Sequence, residues 1–98
     1  MRVHRVRAEV LVAACDEELV GRRLPVGSAG GTVEVSSHFY GERPVSEEEL
    51  TWALHRATIV NLLGPRVVAF AQRAGLVDPN GAGLLGGVPH AEVVTILD

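Results

Sequence analysis

The sequence predicts an α+β domain: a mixed or antiparallel sheet with two consecutive helices packed on one face, a two-layer sandwich. Three observations predict it. Strand-like segments crowd the first third of the chain, helical signals fill the middle, and a short run rich in β-branched residues closes it. Elements that are grouped, not alternating, place the helices together on one side of a sheet. The 98 residues suit one domain spanning 1–98, since a chain of this length buries roughly two-thirds of its unfolded surface.

Val3 to Val6 reads as a weak strand, reversed at Arg7-Ala8. Glu9 to Ala14 is almost continuously apolar, as in a central strand covered on both faces. Asp16 is placed to cap a short helical turn that Gly21 closes, with Glu17 and Glu18 suiting its positive end. Gly27 to Gly31 is a turn. From Thr32 to Tyr40 the chain alternates, with Val33, Val35 and Phe39 on one side and Glu34, Ser36, His38 and Tyr40 on the other. That period of two predicts a half-buried strand.

The helical signals are more complete. Ser46 and Glu49 form a capping box, and Val45 and Leu50 can staple across it. Leu50, Leu54, Ala57, Thr58 and Asn61 recur at helical spacing. Gly64-Pro65 ends this helix and begins a second, proline suiting the first helical position. Val67, Val68 and Ala71 form its buried face, and Gly75 gives a left-handed cap. Asp78 to Gly81 is a turn by composition, Gly83 to Pro89 a glycine-rich loop, and Ala91 to Leu97 the last strand.

Composition excludes several chemistries. Hydrophobic residues at 47% and charged residues at 21% separate the chain from disordered sequences. All nine basic residues are arginine, so neither a Schiff-base enzyme nor the Gly-Lys-Ser/Thr phosphate loop is available. One cysteine precludes an internal disulfide framework and an all-cysteine metal cluster. No apolar stretch approaches the roughly 20 residues of a membrane span. The opening residues alternate arginine with valine in place of a leader's apolar core. A cytoplasmic location without membrane contact is expected, and the lone thiol agrees.

Cys15 is the candidate nucleophile, lying between a strand and a helical turn where a backbone dipole lowers a thiol's pKa. Asp16, Glu17 and Glu18 oppose that, and a small buried residue is the competing reading. His90, behind Gly86-Gly87-Val88-Pro89, is the candidate base, with Asp16 or Asp78 to orient it. A histidine that merely ties its loop together is the alternative. Gly86 and Gly87 are candidates for ligand contact, although Pro89 removes one of the N–H groups that a phosphate cradle needs. Asn61, an amide on an apolar face one turn beyond Thr58, either reads a ligand or ties the helix junction. Tyr40 is placed at a strand end, exposed toward a partner. Cys15, His38 and His90 show no close ligand pair, so neither a metal nor a cofactor is expected. His4 and His55 are expected to be exposed. Arg2, Arg5, Arg7, Arg22 and Arg23 can form one basic edge against acidic Glu47, Glu48 and Glu49, suited to RNA phosphates. With few aromatic residues, base stacking is poorly supplied.

Several strings taken in order resemble one family: residues 12–21 (Val-Ala-Ala-Cys-Asp-Glu-Glu-Leu-Val-Gly), Phe39-Tyr40-Gly41, residues 57–64 (Ala-Thr-Ile-Val-Asn-Leu-Leu-Gly), Leu76-Val77-Asp78-Pro79 and residues 87–91 (Gly-Val-Pro-His-Ala). The chain resembles the archaeal domain of unknown function 424 over nearly its whole length. The resemblance implies a small cytoplasmic archaeal protein with no assigned activity. Asn80-Gly81-Ala82-Gly83 replaces a segment rich in valine or isoleucine, and Glu92 stands where glutamine is usual. The leading expectation is a binding module that touches RNA or a protein of information processing. The rivals are a small enzyme using Cys15 and His90, and a structural protein that self-associates, as in a homodimer.

Overall fold

The computed structural model describes residues 1–95. β1 (Arg2–Val6) and β2 (Glu9–Cys15) form an antiparallel hairpin. β5 (Ile59–Leu63) lies parallel to β2, β7 (Val88–Val94) runs antiparallel to β5, and β6 (Gly83–Leu85) closes the far edge. The five-stranded order is β1-β2-β5-β7-β6, and β3 (Arg23–Val26) with β4 (Gly31–Glu34) makes a separate ribbon. The helices are α1 (Ser37–Tyr40), α2 (Glu47–Arg56) and α3 (Pro65–Arg73), with a 3-10 turn at Glu17–Leu19. No helix of the described residues is long and apolar enough to cross a membrane.

Alternation along the paired strands divides the sheet into two faces. Val12, Ala14, Val60, Leu62 and Ala91 pack against Leu50, Ala53 and Leu54 of α2 and Val67, Val68 and Ala71 of α3. Both longer helices therefore share one face, as the α+β class requires. The opposite face carries Ala13, Cys15, Asn61, Leu63 and His90 by register. Leu19, Leu24, Val35 and Tyr40 cover part of it.

The local signals form as expected where they are self-contained. Ser46 and Glu49 make the capping box, and Val45 packs with Leu50 in the helix-side core. At Gly75 (φ 74°) the Leu76 N–H bonds Ala71 O and the Gly75 N–H bonds Gln72 O, a Schellman end.

Three expectations need correction. First, α2 stops at Arg56, and Ile59–Leu63 is the central strand, so a strand separates the two helices. The β-branched run Thr58-Ile59-Val60 favours an extended chain, and ladders on both sides outweigh the helical spacing. Second, the strand from Thr32 ends at Glu34; the Ser36 hydroxyl accepts from the His38 N–H and starts α1, a cap competing with the ladder. Third, the glycine-rich loop is the β6–β7 hairpin. Gly86 (φ 56°) and Gly87 (φ 81°) supply the two positive φ angles of a type I′ turn. The final strand thus begins at Val88 and is described to Val94; the end of the expected strand, Ile96 and Leu97, lies outside the described residues.

Candidate functional site

On the partly covered face, strand register brings together residues remote in sequence. Asn61 of β5 lies between Ala13 of β2 and Glu92 of β7, while Leu63 lies between Cys15 and His90. The Asn61 Oδ1 accepts from the Tyr40 hydroxyl at 2.8 Å and pairs with His90 Nε2 at 3.2 Å. An imidazole nitrogen facing a carbonyl oxygen carries a proton, so His90 Nε2 donates to Asn61. Tyr40 is buried, not exposed toward a partner. Its helix packs beside β1 and β2, and its ring meets Phe39 edge-on at 4.8 Å. Burial pushes the Tyr40 phenol up to about 12, with Cys15 and Glu92 adding to the effect.

Cys15 shares this face but not this cluster. Leu63 stands between it and His90, a separation of two strand spacings, about 10 Å. Burial raises the Cys15 thiol to about 11, and Asp16 and Glu18 reinforce that. Cys15 is half-buried, is a thiol at neutral pH and has no histidine beside it in the strand register.

Asp16 does different work from the local cap expected of it. Its side chain makes no bond to the Glu17–Leu19 turn. Its oxygens instead accept from the backbone N–H groups of Arg66 (3.0 Å) and Val67 (2.9 Å), at the start of α3. The N-cap of α3 is Gly64, which has no side chain to offer, so a carboxylate from the end of β2 serves instead. A Cβ on Gly64, at φ 127°, would overlap the Asp16 carboxyl. Arg66 lies 3.6 Å from Asp16 and also pairs with Glu18. The hydrogen bond from its own backbone lowers the Glu18 pKa most, and the contact with Arg66 adds to that.

The remaining candidates lie elsewhere. Asp78 is exposed and accepts from the Asn80 N–H in its own turn. Thr58 ties strand to strand: its hydroxyl accepts from the Val10 N–H at 2.7 Å. Gly86 abuts Leu24 and Pro25 of the ribbon. His4 is half-buried, with Nε2 donating to Phe39 O at 2.8 Å and its ring stacked on Phe39; His55 is exposed. The arginines divide. Arg2, Arg5 and Arg7 lie along edge strand β1 and its turn, whereas Arg22 and Arg23 belong to the ribbon, which reaches β6 at the opposite edge. Among the described residues, no three His, Cys, Asp or Glu side chains converge as metal ligands.

A cleft of about 660 Å³ opens at the ends of β2 and β5, lined by Cys15, Tyr40, Arg43, Arg66, Phe70 and Arg73 among others. Sequence reasoning passed over Arg43, Phe70 and Arg73. The signal available for them was topological: two parallel strands whose chains leave toward opposite faces open a crevice at their carboxyl ends. After β2 the chain turns to the ribbon side, and after β5 it enters α3 on the helix side.

The fold is similar to the crystal structure of an uncharacterized conserved protein from Methanopyrus kandleri, at 26% identity and a TM-score of 0.79. The alignment covers 99% of this chain and 92% of that one. No curated protein matches the chain. The model of the family described as "Protein of unknown function (DUF424)" matches residues 4–96, and the chain belongs to that family.

Proposed function

We propose that this protein is a small cytoplasmic archaeal binding module that holds part of a partner in the cleft at the ends of β2 and β5. The observation that carries this reading is the crevice itself. It lies where the two parallel strands send their chains apart, and its only thiol is held protonated. The cleft walls carry Arg43 and Arg73, which enter no ion pair among the described residues, alongside Glu42 and Glu47. Mixed charge over an apolar floor suits a protein segment better than a phosphate backbone. The separation of Arg2, Arg5 and Arg7 from Arg22 and Arg23 weighs against RNA as that partner for the same reason.

The test is to fill the cleft. Ala69→Trp projects bulk into it, and Arg43→Glu reverses one rim charge. Both are expected to abolish co-purification of a partner that wild type retains, while Trp52→Ala on the outer face of α2 leaves it intact. Retention of the same partner by Ala69→Trp would end this reading, and loss of the partner to ribonuclease would reassign it to RNA. The thiol-enzyme alternative predicts rapid alkylation of Cys15 near neutrality, which its raised pKa argues against.

A further inference from the structure

β1 is an edge strand: among the described residues it pairs with β2 on one side only. Alternate N–H and C=O groups along Arg2–Val6 therefore point outward without a ladder partner. Side chains on this strand are equally unspent. Val3 and Val6 are 40% and 63% exposed. Arg2, Arg5 and Arg7 are exposed as well, and among the described residues the ion pairs involve Arg66 alone. Glu9 is the single acid in the β1–β2 hairpin, and it sits opposite Val6. The edge thus combines open backbone, two accessible valines and three uncompensated cations.

We propose that β1 accepts an extended acidic segment of a partner protein as a sixth strand of the sheet. Strand addition draws affinity from backbone hydrogen bonds and specificity from the side chains beside them. An antiparallel segment Val-Glu-Thr-Val-Glu sets its valines beside Val6 and Val3 and its glutamates beside Arg5 and Arg2. Opposite charges directly across a ladder stabilise it and like charges do the reverse. A second copy of β1 would bring more arginines and no acid to this edge, so charge complementarity favours the acidic segment. The cleft approaches this strand only at Met1, and none of Arg2–Val6 lines it, so this surface is tested separately from the reading above.

The experiment titrates ¹⁵N-labelled protein with the blocked peptide Val-Glu-Thr-Val-Glu and follows amide shifts and hydrogen exchange. Residues 2–6 are expected to shift and to gain protection at millimolar peptide, in wild type and in Ala69→Trp alike. The double variant Arg2→Glu/Arg5→Glu, on an exposed edge, is expected to bind about tenfold more weakly, the size of two exposed ion pairs. It should bind the reversed peptide Val-Arg-Thr-Val-Arg in place of the acidic one. A peptide N-methylated at alternate residues should not bind. No shift in β1, or equal binding of the methylated peptide, would refute strand addition. Tighter binding of a single-stranded oligoribonucleotide to β1 would reassign the edge to nucleic acid. A dimer by light scattering with β1 protected in the absence of peptide would assign it to a second copy.

Discussion

The same three central strands, β2, β5 and β7, build both faces of the sheet, and the two faces end up with opposite characters. Toward α2 and α3 they present Val12, Ala14, Val60, Leu62 and Ala91, all buried in one apolar cluster. Toward the ribbon they present buried Ala13 and Leu63 together with Asn61, His90 and Cys15, each only partly covered, and Glu92 open to solvent. The helix side is closed by two amphipathic helices. On the ribbon side, two short strands and one turn of helix bury Ala13 and Leu63 and leave Glu92 exposed. Tyr40 and His90 find a partner there in Asn61, from the neighbouring row. Both faces hold the protein together, but only the ribbon side mixes its buried cluster of Ala13, Leu63, Leu24 and Val35 with polar side chains.

The contrast breaks most visibly at Leu62. It is inaccessible to solvent, so Leu62→Ala is expected to cost ~2–5 kcal/mol in denaturant unfolding. Ile59, partly exposed on the other face, should lose less than half of that on truncation to alanine. Equal losses would erase the distinction between the faces.

Asp16→Ala comes next, at about 2 kcal/mol, because two α3 amides and a neighbouring arginine lose their acceptor. Exchange of the Arg66 and Val67 amides should quicken specifically. Asn61→Ala is expected to cost about 1 kcal/mol, since the Tyr40 and His90 groups it leaves can partly turn to water. Loss of the Tyr40–His90 link would appear as altered His90 ring shifts with the helix-side core unchanged.

The last effect is confined to alkaline pH. Cys15 rises from 9.0 to about 11 and Tyr40 from 10.0 to about 12. Between pH 9 and 12 the unfolded chain therefore releases protons that the folded chain keeps, and stability falls as pH rises. Cys15→Ala should flatten the first part of that decline and Tyr40→Phe the second, measured as unfolding midpoints against pH. A decline unchanged in both variants would remove these groups as its cause.

What could be read from the sequence was what neighbours in sequence decide. Ser46 with Glu49, Pro65 at a helix start and Gly75 at a helix end each act within one turn. Ala57 to Asn61 misled because their spacing matches a helix continuing from Leu54, and only pairing with β2 and β7 makes them a strand. The meeting of Tyr40, Asn61 and His90 was beyond reach for the same reason, although all three stood out as residue types. Asp16 gave a sharper lesson. Its cap was expected one turn away and lies 50 residues away, and the clue was Gly64, a helix start with no acceptor of its own.

That borrowed cap ties the birth of a helix to the assembly of a sheet. Until β2 and β5 lie side by side, the first turn of α3 has no carboxylate to receive its amides, so the segment from Pro65 onward should fray when synthesised alone. Helix and ladder must then appear as one cooperative event, paced by the slow closure of a long loop and not by fast local coiling.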